Sequence, residues 1–231
     1  MRKLSILLLM AAVMISCEKE DDTSNENDGP DLPDDSGKVT VKVVDDAGNP
    51  VEDAAVEIAS GDTNQILFSD STGEAGKADA GILLKGEYRC GVAAKIGRPV
   101  YEMDRYFQVI PGKEKSIEVN PVENSGKITL KVVIIDDNSP AEGINLALIP
   151  HFHAYDQEYT FEGLTDEAYF IKTADENGKL TMDQVPVTPG IDFEGYSVFA
   201  YYSKDTAQYS HYNIRLDKGE HLQQRIKVDL W

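Results

Sequence analysis

The chain has 231 residues and carries 41 Asp and Glu against 22 Lys and Arg, a formal net charge of −19. So acidic a chain excludes nucleic acid as a partner, because that binding runs on phosphate neutralisation by Lys and Arg. It also argues against a basic patch as the means of holding anionic lipid. Two cysteines, Cys17 and Cys90, are too few for a disulfide framework.

Arg2 and Lys3 open the chain, Leu4–Val13 is apolar apart from Ser5, and Met14-Ile15-Ser16 leads into Cys17. A positive start, an apolar segment of roughly 7–15 residues and a small residue before the cut describe a secretory signal. The segment is too short to cross a bilayer, which takes about 20 residues. Met14-Ile15-Ser16-Cys17 resembles the end of a bacterial lipoprotein signal, although the commonest form has Leu where Met14 stands. The resemblance implies cleavage before Cys17 and acylation of its sulfur and new amine, so that the membrane becomes a partner through a lipid anchor. The alternative is a soluble secreted protein with an incidental cysteine. The following Glu18, Lys19, Glu20, Asp21 and Asp22 resemble the export signal of surface lipoproteins in Bacteroidota-type Gram-negative cells. That resemblance implies an outer-membrane protein facing the cell exterior; a plain acidic tether is the other reading.

Residues 17–36 hold nine acids against one lysine and few apolar side chains. Such a segment buries too little surface to offset chain entropy and is predicted to be a disordered tether. From residue 37 the pattern changes. Val39, Val41 and Val43 alternate with Thr40 and Lys42, the period-2 mark of a half-buried strand. Gly48-Asn49-Pro50 is a turn signal. Cys90, in GEYRCGVAA, falls on a strand with Arg89 directed to the opposite face, and it reads as a small buried hydrophobe.

The same sequence of features then returns. GKVTVKVV at 37–44 recurs as GKITLKVV at 126–133, and NPVEDAAVEI at 49–58 as SPAEGINLAL at 139–148. Looser partners are residues 71–94 with 172–202, and 109–122 with 214–230. Order is kept throughout, which marks an internal repeat. Asn138-Ser139-Pro140 repeats the first turn, and Asn177-Gly178 reads as a hairpin. No segment shows a sustained helical period. Short strands separated by turns predict sandwiches or barrels.

The run VTVKVVDDAGNPVEDAAVEI, then STGEAGKADAGILLKGEYRCGVAA, then VIPGKEKSIEV resembles the carboxypeptidase regulatory-like, transthyretin-type β-sandwich. The resemblance is close over 37–122 and weaker over 126–231, which has insertions around 149–171 and 185–195. It implies an all-β chain of two tandem Ig-like, transthyretin-like Greek-key sandwiches, over 37–122 and 123–231, behind the signal at 1–16 and the tether at 17–36. Such modules act as stalks, spacers or binding platforms. The join Glu123-Asn124-Ser125-Gly126 is short enough to hold the two in fixed relation.

Chemistry is sparse. His151 and His153, in PHFHAYDQEYTF, would share one strand face and could hold a metal with Asp156 or Glu158. The pair resembles the His-x-His of sandwich-type iron dioxygenases, but the arginine and tyrosine motifs around that pair are not evident. Exposed loop histidines are the plainer reading, and no cofactor is expected. The other lead is aromatic. Tyr155 and Tyr159 cluster with Phe161, Tyr169 and Phe170, and Tyr201, Tyr202, Tyr209 and Tyr212 form a second group. Surface rings often mark binding sites, but Tyr is also common in ordinary strands. The function expected is a non-catalytic surface lipoprotein that binds or spaces, with glycan or host protein as ligand. A periplasm-facing structural lipoprotein and a metal enzyme on the second domain are the alternatives.

Overall fold

The computed structural model describes residues 34–150, 160–187, 195–203 and 207–229, without the side chains of 207–213. Cys17 and the acidic residues Glu18–Asp22 lie outside them. The described residues belong to one compact unit and build two β-sandwiches of the same topology, so the fold is all-β.

In the first sandwich β1 (Ser36–Val43) is central in a three-stranded sheet, between β4 (Lys77–Leu84) and β7 (Glu114–Val119). It runs antiparallel to β4 and parallel to β7. The facing sheet has the order β3-β2-β5-β6, from β2 (Ala55–Ser60), β3 (Ile66–Ser71), β5 (Gly86–Lys95) and β6 (Val100–Val109). The second sandwich repeats this plan. β8 (Ser125–Ile134) lies between β11 (Lys179–Pro186) and β14 (His221–Val228), the latter parallel to it. β10 (Phe170–Thr173), β9 (Asn145–Pro150), β12 (Tyr196–Tyr201) and β13 (Ala207–Ile214) form the second sheet.

Alternation explains the layers. Val39, Val41 and Val43 are fully buried and meet Ile58, Cys90 and Val92 from the opposite sheet. In the second core Ile128, Leu130 and Val132 meet Leu146, Leu148 and Val198. Each such side chain contributes about 1.5–3 kcal/mol by leaving water. A short 3-10 turn, Pro121–Glu123, joins the sandwiches. The Asn120 side chain caps it by accepting from the Val122 N–H at 3.1 Å.

Two expectations are corrected. Asn177-Gly178 forms a turn but not a hairpin, because β10 and β11 belong to different sheets. The turn folds back onto β8: Val132 N–H donates to Gly178 O at 2.7 Å, and Gly178 has φ +70°. A Cβ there would run into the Val132 carbonyl oxygen. Gly76 does the same in the first sandwich, with φ +66° and a Cβ position 2.6 Å from Val43 O. The second correction is a helix, α1 (Phe161–Glu167), inside the first insertion. It is barely two turns long, too short to show a helical period. Thr160 caps it by accepting from Gly163 N–H at 3.0 Å.

Candidate functional site

The outer face of the β3-β2-β5-β6 sheet carries a groove of about 650 Å³. Strand register builds it. Ala55, Ala93 and Glu102 lie abreast on β2, β5 and β6, and Glu57, Gly91 and Asp104 form the next row. The floor is therefore made of Ala55, Gly91 and Ala93, which have almost no side chain, and carboxylates stand at its edges. Arg89, one row on, reaches Asp104 with Nη1 at 3.2 Å from both carboxylate oxygens. That bridge lies across Gly91, where a Cβ would sit 3.2 Å from Asp104 Oδ1. Tyr106, paired with Arg89 across the strands, is 77% exposed. Three carboxylates thus face one guanidinium. Under the floor Cys90 is fully buried. Loss of hydration pushes its thiol up to about 11, with Asp104 adding to the shift and Arg89 opposing it, so the thiol stays protonated and inert.

The corresponding face of the second sandwich is closed. In the repeat Ala55, Glu57, Gly91 and Ala93 become Asn145, Ala147, Phe199 and Tyr201, with the same pairings across β9 and β12. Phe199 and Tyr201 fill what is open in the first sandwich, and α1 lies over them. The Phe161 ring meets Tyr201 edge-on at 5.0 Å between centroids and Phe199 at 5.8 Å. Leu164 completes this second apolar layer with Ala147 and Ile149.

The two sandwiches are interlocked. Arg98, in the β5–β6 turn, donates to the Thr165 and Ala168 carbonyls at 2.8 and 3.3 Å. It supplies the positive charge that the C-terminus of α1 lacks in its own sequence. The buried Tyr101 hydroxyl donates to Gln184 O at 2.9 Å, and Gln184 Nε2 donates to Asp46 Oδ2 at 2.7 Å. Gln184 sits in a bulge of β11 at φ +54°, a conformation that costs a non-glycine residue about 1–2 kcal/mol. Burial pushes the Tyr101 hydroxyl up to about 12, and the Asp46 carboxylate adds to the shift. At the join, Val187 N–H donates to Asn124 O at 3.1 Å and Arg105 pairs with Glu123 at 2.9 Å.

The residues singled out from sequence scatter. Tyr201 is half-buried beneath α1, Tyr202 is 43% exposed, and Tyr169 is buried with its ring edge-on to Tyr196. His151, His153, Tyr155 and Tyr159, and the side chains of Tyr209 and Tyr212, lie outside the described residues. Among the described residues no three His, Cys, Asp or Glu side chains gather as a metal centre, and no helix is long and apolar enough to cross a membrane. The groove itself escaped sequence reasoning. Its signal was the alternation of Gly91 and Ala93 on the outward face of β5.

No family model and no curated protein matches the chain. Among solved structures it is similar to GBS52, the minor pilin of Streptococcus agalactiae, at 15% identity and a TM-score of 0.39, over 83% of this chain and 94% of that one. It is also similar to a streptococcal ancillary pilin, at 15% identity and a TM-score of 0.38, over 85% of this chain and 62% of the pilin. The Bacillus anthracis TIE protein is similar at 14% identity and a TM-score of 0.35; 85% of this chain matches 34% of that protein. Nothing about activity passes to this chain at such identities and scores.

Proposed function

We propose that the chain is a non-catalytic lipoprotein, anchored through Cys17 in the outer membrane and facing outward, whose paired sandwiches hold a binding face at a set distance from the lipid. The observation that carries this reading is the interlock. Tyr101, Gln184 and Asp46 join the modules on one path, and Arg98 joins them on another through α1. A chain that only needed to link two independent domains would gain nothing from a strained residue at their contact. The groove of the first sandwich supplies the binding face.

Protease shaving of intact cells tests the location. Digestion of the native protein, protection when Glu18, Glu20, Asp21 and Asp22 are changed to Ala, and release with Cys17→Ala are expected. Protection of the native protein, with an exposed marker cleaved in the same cells, would place it inside the envelope as a structural lipoprotein. Spacing is tested by electron-spin distance measurement between labels at Glu74 and Lys218, both exposed. A narrow distribution is expected; a broad one in the native protein would overturn the spacer reading.

A further inference from the structure

The internal repeat supplies its own comparison. The same sheet face occurs twice in one chain, once filled and once open. In the second sandwich the space over β9 and β12 is taken by the rings of Phe199 and Tyr201, and Phe161 arrives from α1 to pack on them. In the first sandwich Gly91 and Ala93 stand at those two ring positions, and the connection between β2 and β3, residues 61–65, places no helix there. The floor is apolar and the missing volume is that of aromatic side chains.

Its rim differs in charge from its counterpart. Where the second sandwich has Ala147 beside Phe199, the first has Glu57 beside Gly91 and Asp104. Glu102 extends the acidic rim by one row, and Arg89 is already paired to Asp104. The field of a chain with net charge −19 adds to this and draws cations from a distance. Tyr106 stands at the Arg89 end with most of its ring in solvent, where it can stack with a cationic or apolar group.

We propose that this groove docks a segment of a partner protein that presents a large apolar side chain flanked by Lys or Arg. The apolar side chain takes the place over Gly91 and Ala93 that rings fill in the second sandwich. A flanking cation meets the exposed Glu57. This deepens the binding reading given above and rests on it. A neutral glycan would use Tyr106 but would bring no counter-charge to the exposed Glu57 carboxylate, so Glu57 favours a basic polypeptide.

Fluorescence anisotropy on the full-length protein tests it with three labelled nonapeptides. One alternates Lys with Phe, one replaces each Phe by Ala, and one replaces each Lys by Glu. The Lys/Phe peptide is expected to bind, and to weaken about tenfold or more with Gly91→Phe, which fills the groove as Phe199 does in the repeat. Gly91 has an ordinary negative-φ backbone, and the atoms nearest its Cβ position are the ends of flexible side chains. Glu57→Lys, at an exposed strand position, gives the same loss without touching the floor. Equal binding of the Lys/Ala peptide would reduce the effect to bulk charge and overturn the proposal. So would binding unchanged in both variants, or no binding of the Lys/Phe peptide. Gly91-dependent binding of neutral oligosaccharides in place of peptide would overturn the partner class and keep the binding module. Neither failure alters the outcome of protease shaving, so the two readings fail separately.

Discussion

Tyr101→Phe separates the interlock from mere proximity, because it removes one oxygen and leaves the ring. The lost bond joins the Tyr101 hydroxyl to the Gln184 carbonyl at 2.9 Å. No cavity larger than that oxygen is made, so at pH 8 the cost is that of one buried hydrogen bond, about 1–1.5 kcal/mol. The same hydroxyl makes the cost depend on pH. Its pKa is pushed from 10.0 up to about 12 in the folded protein. Below pH 10 neither state ionises and the hydroxyl's contribution is fully present. Above pH 10 the unfolded chain loses the proton first, and stability falls by about 1.4 kcal/mol per pH unit until the folded group titrates too. By pH 12 that amounts to about 2.3 kcal/mol, which the Phe variant does not lose. The variant should therefore be less stable at pH 8, equal near about pH 11 and more stable beyond it. Urea denaturation of both proteins from pH 8 to 12 reads the difference directly, since other groups titrate alike in the two. A deficit constant across that range, or no deficit at pH 8, would refute the reasoning.

Two further outcomes are expected. Gly178→Ala forces a Cβ into the Val132 carbonyl at a left-handed φ and should cost about 2–3 kcal/mol or more, whereas Gly219→Ala, at φ +75° with open space around it, should cost only about 1 kcal/mol; thermal denaturation giving equal losses would remove the role assigned to the Gly178 turn. Arg98→Ala takes the cation from the C-terminus of α1 and should raise hydrogen exchange across residues 161–168 while leaving β1 and β8 protected; unchanged exchange in α1 would show that Arg98 is not what holds it.

The repeat was legible because the strands that carry it, GKVTVKVV and GKITLKVV, are the central strands β1 and β8. Central strands bury one whole face, so their alternation is strict. The helix α1 was not legible: FEGLTDE contains Gly163 and a β-branched Thr165, and the Thr160 cap was the one local signal. That omission also hid the environment of Tyr201, since alternation along β12 correctly turns Phe199 and Tyr201 outward and cannot say that a helix lies on them. The groove went unread for the opposite reason. Small side chains such as Gly91 and Ala93 have no chemistry of their own, and only the cross-strand register shows that Ala55 joins them. Sequence likewise gave no sign that Gln184 takes a left-handed backbone, which follows from the β11 bulge.

The parallel pairing of β1 with β7, and of β8 with β14, has a mechanical consequence. The chain enters each sandwich at the start of the first strand and leaves at the end of the last, and in register Lys38 faces Glu114 while Val43 faces Val119. A pull between the start of β1 and the end of β7 draws the two strands past each other. Their hydrogen bonds are then loaded side by side in shear, where several must yield together, and not peeled one at a time as at the open end of a hairpin. Both sandwiches present this geometry in series, so tension passes from one to the next through their most resistant strand pairs.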